Sequence, residues 1–294
     1  MDSLETFEMY SLKLIKKALS EYDKPFISTS FGKDSLVTMH LVHRIDDSIP
    51  LVWAFTGVNH PTVYPVKKYY EEQGKKIITA KHLKTFWEII EEYGFPIGAR
   101  STGSNKSVSN CCKYLKKEPM AQETEGYNLE FNGMTAFESW TRYTRIKADG
   151  DYKFVKSRGK DGRQVCMPIA WWHTEKVWAY IDKYSIKYPK VYDEELEGFT
   201  KRGHKEKVKG VDMDRGAIRL GCWTCPLVMK YTDKVIKQLR TYHPKLWKVL
   251  MKDKGLAKEV AKLKLNGQGD LFEGYFADNG DRWLEERPCF FDKI

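Results

Sequence analysis

The sequence predicts an α/β fold: a doubly wound, mainly parallel sheet with helices on both faces, followed by a basic helical C-terminal extension. Short apolar runs alternate with helix-like stretches along the first part of the chain, a pattern typical of parallel strands joined by crossover helices. The chain has 294 residues, enough to bury a full core without disulfide bonds. The excess of Lys and Arg beyond residue 229 predicts the extension.

The elements follow in order from the apolar spacing. An amphipathic helix is predicted over residues 1–22, and strands are predicted at 26–29, 51–55, 76–79 and 131–135. Helices are predicted at 33–45, 63–73, 84–93 and 174–183. Residues 94–109 are rich in Gly and Ser and predict a lid or an ordinary surface loop. Residues 147–164 predict a hairpin or excursion, and 201–216 an exposed stretch.

The most informative segment joins the first strand to the next helix. Residues 30–35 read Ser-Phe-Gly-Lys-Asp-Ser, and a loop of small residues before a helix can hold phosphate through inward-turned backbone N–H groups and the helix dipole. Gly32 permits the turn, Lys33 adds a cation, and Ser30 and Ser35 add hydroxyl donors. Asp34 would either cap the helix or hold a metal ion. The alternative is a simple strand–turn–helix corner capped by Asp or Ser.

Other polar residues follow the predicted strands at the same edge of the sheet. Thr56 and Gly57 end the second strand, and Arg142 and Arg145 follow the strand at 131–135. Ligands of open α/β sheets bind at the carboxyl ends of the strands. The two arginines could therefore reach the phosphates of a nucleotide.

Four of the six cysteines form two close pairs, Cys111-Cys112 and Cys222-x-x-Cys225. Four thiolates suit either a structural zinc ion or an iron–sulfur cluster. The adjacent pair weakens the zinc interpretation, because neighbouring side chains diverge, and separate burial as small apolar residues is a third possibility. Cys166 is expected in the core, and Cys289 could be exposed.

Charge and hydropathy constrain the location and the partners. Residues 1–22 do not resemble a signal peptide, and the sequence contains no apolar run of about 18 residues that could span a bilayer. We therefore expect a cytoplasmic protein with reduced cysteines and no membrane contact. Residues 230–264 contain eleven Lys or Arg and three acids at near-helical spacing. Two basic helices broken around Gly255 could be a solvated face or a surface for nucleic acid or an acidic protein.

With these motifs in view, residues 24–228 resemble the phosphoadenosine phosphosulfate (PAPS) reductase family, within the PP-loop ATP pyrophosphatase superfamily. Residues 28–32 are similar to the loop of sulfonucleotide reductases, and 33–35 to the end of the ATP pyrophosphatase loop. Thr56-Gly57 with Pro61, Cys111-Cys112 with Lys116, Pro168-Ile169 with Trp172, and Gly221-Cys222-x-x-Cys225 follow in the family's order.

The resemblance implies an adenine nucleotide, ATP or a sulfonucleotide, as substrate, with Mg as a cofactor. It implies a 4Fe-4S cluster on Cys111, Cys112, Cys222 and Cys225. Catalytic roles are assigned to Lys33, Asp34, Arg142 and Arg145. Nucleotide contacts are assigned to Ser28, Ser30, Phe31, Gly32, Lys33, Asp34, Ser35, Phe55, Thr56, Gly57 and Gly133. Residues 1–229 would form the nucleotide-binding domain with the cluster, and 230–294 the basic helical region.

The departures from the family shape the functional hypothesis. The Glu-Cys-Gly-Leu-His element that carries the reductase nucleophile does not occur in these 294 residues, and the segment around Cys289 is not similar to it. Phe31 stands where the ATP pyrophosphatase loop has glycine. Because Lys33-Asp34-Ser35 favours a triphosphate, the leading hypothesis is an adenylating ATP pyrophosphatase that acts in sulfur incorporation.

The recipient in that hypothesis could be DNA or RNA, as in DNA phosphorothioation or tRNA thiolation, with a cysteine desulfurase or other sulfur-transfer protein as partner. Two alternatives remain. One is a sulfonucleotide reductase that uses Cys289 or a partner's thiol. The other is a non-catalytic module that binds nucleotide and nucleic acid.

Overall fold

A six-stranded sheet forms the centre of the larger part of the chain. The computed structural model describes residues 3–96, 110–155, 162–225 and 234–255. The sheet order is β3-β2-β1-β4-β6-β5, with β5 antiparallel to β6 and every other neighbour parallel. Its strands are β1 (Pro25–Thr29), β2 (Leu51–Phe55), β3 (Ile77–Lys81), β4 (Leu129–Asn132), β5 (Tyr152–Val155) and β6 (Arg163–Cys166). The predicted α/β class is confirmed.

Helices connect and flank these strands. They are α1 (Leu4–Glu21), α2 (Lys33–His43), α3 (Val63–Glu72), α4 (Phe86–Tyr93), α5 (Glu118–Glu123), α6 (Trp140–Asp149), α7 (Thr174–Tyr184), α8 (Lys234–Tyr242) and α9 (Pro244–Lys248). Short 3₁₀ turns lie at Ala136–Glu138 and Lys190–Asp193. The segment 234–254, predicted as one helix before Gly255, is divided because Pro244 begins a new helix and has no N–H to continue the preceding one.

Helix α2 lies deep in the core, although its sequence is only weakly amphipathic. Eight of its eleven residues are buried, namely Lys33, Ser35, Leu36, Val37, Thr38, Met39, Leu41 and Val42. The helix packs with α1, α7 and the strands β1 and β4 in one apolar cluster. A helix buried on nearly every side cannot shift without breaking that packing. The loop that precedes α2 is therefore held firmly in place.

The exposed stretch predicted at 201–216 forms a separate two-stranded hairpin. Strands β7 (His204–Val208) and β8 (Val211–Arg215) pair antiparallel. Lys209 and Gly210 connect them with φ of 51° and 82°, the positive values required by a type I′ turn. β7 is exposed along most of its length, whereas β8 buries Met213 and Asp214. The polar stretch 147–164 likewise contains the antiparallel pair β5–β6, in agreement with the hairpin prediction.

The chain packs as two compact units, one of residues 1–83 with 115–220 and the other of 84–114 with 221–294. The first contains the six-stranded sheet and the hairpin. In the second, α4 buries Phe86 and Ile89, and the basic segment buries Leu239, Trp247 and Leu250. The division at residue 229 stays a prediction. Within the described ranges, none of the helices combines the length and the apolar character needed to cross a bilayer.

The strand order defines where a ligand can bind. From β1 the chain adds β2 and then β3 on one side, and later places β4 on the other side of β1. The sheet therefore has its topological switch point between β1 and β4, and open α/β sheets bind ligands outside the carboxyl ends of the strands at such a point. The loops that begin at Ser30 and Gly133 both start there.

Candidate functional site

The loop after β1 has an unusual backbone. Phe31 has φ of 55°, a left-handed conformation that is uncommon for residues with a large side chain. Packing holds it there, since Phe31 is fully buried and its ring lies 6.0 Å from that of Trp53 and 6.4 Å from that of Tyr70. Phe31 is thus an anchor that holds the loop against the core.

The backbone N–H groups of the loop are engaged by hydroxyl oxygens. Ser30 N donates to Ser35 Oγ at 3.3 Å, Phe31 N to Thr29 Oγ1 at 3.0 Å, and Gly32 N to Ser30 Oγ at 3.2 Å. The small residues of this loop predict that these N–H groups face a phosphate directly. In the structure, the hydroxyl oxygens of Thr29, Ser30 and Ser35 accept these hydrogen bonds instead. An anion that approaches the loop would therefore meet hydroxyl groups as well as backbone N–H groups.

Lys33 and Asp34 form an ion pair in the first turn of α2. Lys33 Nζ donates to both carboxylate oxygens of Asp34, at 2.6 and 2.8 Å. The Lys33 side chain is 4% exposed and that of Asp34 is 19% exposed. The pair cancels its own charge, and it leaves the carboxylate partly open to solvent at the positive end of the helix. A group that binds here can engage the carboxylate as a cation or as a hydrogen-bond donor.

Gly133, the first residue after β4, touches the first turn of α2. A Cβ added at Gly133 would lie 2.6 Å from the carbonyl carbon of Asp34, 2.7 Å from its oxygen and 2.7 Å from Ser35 N. These are backbone atoms of a buried helix, which cannot yield easily. Only glycine permits this approach, and it brings the β4 loop against the first turn of α2.

We expect Gly133→Ala to destabilise the protein by about 3 kcal/mol, the upper part of the usual cost of overpacking. The methyl group would have to push the β4 loop away from α2. Thermal unfolding of the full chain measures this. Gly221→Ala is the control, because a Cβ there meets nothing within 4 Å. Equal stability of the two variants would contradict the close approach.

Arg142 lies near the loop, whereas Arg145 lies exposed one turn further along α6. The Arg142 guanidinium pairs with the Glu138 carboxylate. Burial and the positive charge of Arg219 lower the pKa of Arg142, and the negative charge of Asp34 acts in the opposite direction. Arg219 itself donates to the Glu138 carbonyl oxygen at 2.9 Å.

The structure thus brings Arg142 within electrostatic reach of Asp34, and it adds Arg219, which the sequence analysis missed. In the sequence, Arg219 is marked only by its position three residues before Cys222. No contact of Arg145 with the loop is found among the described residues.

The end of β2 carries a tight turn and aromatic rings. The Thr56 hydroxyl donates to Asn59 Oδ1 at 3.0 Å and accepts from Val58 N at 3.3 Å, so it supports the turn itself. Gly57 has φ of 72°. The Phe55 ring stacks on that of His82 with centroids 5.7 Å apart. This pair, at the ends of β2 and β3, forms an apolar edge of the kind that can receive a flat base.

A second polar group missed by the sequence analysis lies where α7 begins. Asp214, on β8, accepts hydrogen bonds from Thr174 N at 2.8 Å and Thr174 Oγ1 at 3.0 Å, and it contacts His173 Nδ1 at 3.0 Å. Burial alone would raise the pKa of Asp214, but the bonds from His173 and Thr174 hold it below its usual range. The carboxylate therefore caps α7, a structural role that no local pattern around Asp214 predicts.

The four paired cysteines all lie in the second compact unit. Cys222 and Cys225 bracket a turn in which Cys225 N donates to Cys222 O at 3.1 Å. Cys111 and Cys112 are helical, and a π-helical turn follows at once over Lys113–Lys117. Such turns often mark functional sites and change the direction of successive side chains. The π turn begins only after the pair, so Cys111 and Cys112 themselves lie on α-helical backbone.

The four thiols of this unit are a donor set that could hold either an iron–sulfur cluster or a zinc ion. Thr224 Oγ1, between Cys222 and Cys225, is buried without a hydrogen-bond partner among the described residues. A cluster sulfur would supply that partner.

Comparison with known proteins agrees with this architecture. The family model of the phosphoadenosine phosphosulfate reductase domain matches residues 24–228. The chain belongs to this family. All six strands of the sheet, the loop at Ser30 and the four paired cysteines lie inside the matched range.

Several known proteins match this chain over part or nearly all of its length. An uncharacterized protein of Methanocaldococcus jannaschii is 27% identical over 97% of this chain and 51% of its own length. A second protein of that organism is 25% identical over 98% of the chain and 59% of its own length. The chain thus spans little more than half the length of these relatives. The adenosine 5′-phosphosulfate reductase of Halalkalibacterium halodurans is 25% identical over 63% of the chain and 76% of its own length.

A solved phosphoadenylyl-sulfate reductase from Candida auris, in a phosphate complex, aligns with 65% of this chain and 89% of its own at 16% identity and a TM-score of 0.48.

Proposed function

We propose that this protein is an adenylating ATP pyrophosphatase that carries a 4Fe-4S cluster and acts in sulfur incorporation. The observation that carries the proposal is the Lys33–Asp34 pair at the first turn of α2. A carboxylate at a phosphate site repels the ligand unless positive charge offsets it; Asp34 would hold a divalent ion, which would supply that charge. A triphosphate brought in with magnesium meets this requirement.

The reaction would be a displacement at the α-phosphorus of ATP. An oxygen of the acceptor forms a bond to that phosphorus while the bond to the bridging oxygen of the β-phosphate breaks. Pyrophosphate leaves with the electron pair, and the proton of the acceptor passes to solvent. Magnesium held by Asp34 would neutralise the leaving group. The protein's own contribution is positioning and charge stabilisation rather than covalent chemistry.

Separate groups would serve separate parts of the nucleotide. Ser30 and Ser35 line the loop with hydroxyls, and Arg142 brings positive charge within electrostatic reach of Asp34. Phe55 and Gly57, at the neighbouring strand end, would receive the adenosine. Ser28, inside β1, and Thr56, whose hydroxyl is used within its turn, would act through the backbone.

The four paired cysteines would hold the cluster, which would supply electron transfer or carry sulfur when bound. The buried hydroxyl of Thr224 supports this assignment. A sulfur nucleophile would then attack the acceptor atom that bears the adenylated oxygen. That oxygen would leave as part of AMP, and sulfur would take its place. A cysteine desulfurase or a similar sulfur-transfer protein would supply the sulfur as a persulfide, and a thiol reductant would supply the two electrons that cleave its S–S bond.

Nucleic acid is the proposed recipient. In the described part of the basic segment, Trp247 and Leu250 are buried, whereas Lys245, Lys248 and Lys252 are exposed. These lysines leave one face of the segment positively charged, as phosphate contacts require. Binding of DNA or RNA should then weaken steeply with salt, with a logarithmic slope of roughly −0.9 per phosphate contacted on duplex DNA.

Anaerobic assays with ATP labelled at the α- or the γ-phosphate test the proposal. We expect the γ-label in pyrophosphate and the α-label in AMP or in an adenylated acceptor, with turnover stimulated by DNA or RNA together with a sulfur donor. Release of γ-labelled orthophosphate instead would indicate an ordinary ATPase. Absence of turnover under every anaerobic condition, with salt-sensitive binding of nucleic acid retained, would favour the non-catalytic module.

Sulfonucleotide reduction is the second candidate, because relatives named adenosine 5′-phosphosulfate reductase align with about three fifths of the chain. The same preparation should then release sulfite from adenylyl sulfate or its 3′-phosphorylated form. Cys289, which lies outside the described residues, would be the nucleophile. Sulfite production that Cys289→Ser abolishes, without pyrophosphate release from ATP, would replace the leading proposal.

A further inference from the structure

Tyr192 lies directly beneath the first turn of α2, although 159 positions separate it from Lys33 in the sequence. Its side chain is almost completely buried, and its hydroxyl oxygen accepts a hydrogen bond from Lys33 N at 3.1 Å. Gly32, the residue at the helix start, has no side chain to cap this N–H group. The tyrosine thus holds a position that a phosphate oxygen occupies at many helix N-termini.

The hydroxyl proton of Tyr192 has no acceptor among the residues that the structure describes. A tyrosine hydroxyl both donates and accepts, and here only the accepting side is used. A buried donor left without an acceptor is costly. Burial and the negative charge of Asp34 raise the pKa of Tyr192 above its ordinary value, so the group stays protonated.

The Tyr192 hydroxyl also converges with a second hydroxyl on one small space. A Cβ added at Gly32 would lie 3.0 Å from the Tyr192 oxygen and 3.1 Å from Ser30 Oγ. Ser30 Oγ likewise accepts a backbone bond, from Gly32 N at 3.2 Å. The hydroxyl groups of Tyr192 and Ser30 each accept a hydrogen bond from a loop N–H group. Both therefore lie beside the space that the missing side chain of Gly32 leaves open.

We infer that Tyr192 is an anion ligand: it donates its O–H group to a phosphoryl oxygen of the substrate while it continues to accept from Lys33 N. Each bond polarises the next, so the positive end of α2 acts on the anion through the hydroxyl. Ser30 supplies the matching donor on the other side of Gly32. The inference rests on the proposed nucleotide site and adds to it a residue from the far end of the domain.

The decisive variant is Tyr192→Phe, which keeps the ring and removes the hydroxyl. Calorimetric titration of the full anaerobic protein with Mg-ATP, adenylyl sulfate and inorganic pyrophosphate should show affinity about tenfold weaker than in the wild type for whichever of them binds. Tyr180→Phe is the matched control. Tyr180 is a fully buried tyrosine whose hydroxyl contacts His40 Nδ1 at 2.9 Å. That variant loses a buried hydrogen bond and should keep wild-type affinity.

Thermal unfolding separates binding from structure. Both variants can lower the unfolding temperature of the ligand-free protein, but only Tyr192→Phe should reduce the rise in that temperature produced by ligand. Gly32→Ala would place a methyl group in the space beside the Tyr192 and Ser30 hydroxyls, and it should weaken binding as well. Wild-type affinity in Tyr192→Phe would overturn the inference while leaving the nucleotide site intact. Failure of the wild type to bind any of the three probes would instead overturn the proposed function on which the inference rests.

Discussion

Asp34→Asn is expected to lower the rate of pyrophosphate release about 100- to 1,000-fold, the range typical of removing one preorganised charge-stabilising group. The amide has the same shape and can still accept from Lys33 Nζ, so the fold should survive. What it loses is the negative charge that would hold a divalent cation against the phosphates. The required magnesium concentration should therefore rise together with the loss of rate, and a titration of turnover against magnesium measures both.

The control for this variant is Asp182→Asn. Asp182 lies exposed on α7 and accepts from Arg202 Nη2 at 2.7 Å, so the same chemical change breaks an ion pair at the surface. An exposed pair of this kind contributes about 0–1 kcal/mol to stability, and turnover should stay at the wild-type level. If Asp34→Asn retained full activity with unchanged magnesium dependence, Asp34 would be a helix-terminus residue only, and the argument for a triphosphate would lose its main support.

Local sequence patterns predicted the parts of the fold that depend on neighbouring residues. The strand at 26–29 and the helix after it agree with β1 and α2 because an apolar run, a glycine turn and a helical period are all local signals. The predicted strand at 131–135 lies instead at Leu129–Asn132. Gly133 ends the strand where the chain must pass close to Asp34 and Ser35. That contact spans a hundred residues and has no local signature.

In the candidate site, too, local patterns predict some residues but not the contacts between residues that are far apart in the chain. Lys33, Asp34 and the serines were identified from their spacing, and the structure brings them together in one loop. The partners that complete the loop come from far along the chain: Tyr192 supplies the acceptor for Lys33 N, and Glu138 joins Arg142 to Arg219. Hydroxyl acceptors for the loop N–H groups were likewise unforeseen, because a small-residue loop is compatible with free or engaged amides alike.

Cys222→Ser is expected to remove most of the bound iron from the anaerobically purified protein. A thiolate is the ligand that iron–sulfur clusters require, and a serine hydroxyl stays protonated and binds iron poorly. Wild-type protein should be brown with the broad visible absorption of iron–thiolate centres, and Cys222→Ser should be nearly colourless. Because Cys222 and Cys225 share one turn, the loss should be cooperative, so that iron and acid-labile sulfide decrease together. Iron and sulfide analysis measures both.

The matched control is Cys166→Ser. Cys166 ends β6 and is fully buried among apolar residues, and burial raises the pKa of its thiol, so it is an inert core residue rather than a ligand. This variant should be less stable than the wild type, since a hydroxyl replaces a buried thiol, yet it should keep its iron. Equal iron in the wild type and Cys222→Ser, or a colourless wild type with one zinc ion, would overturn the cluster assignment.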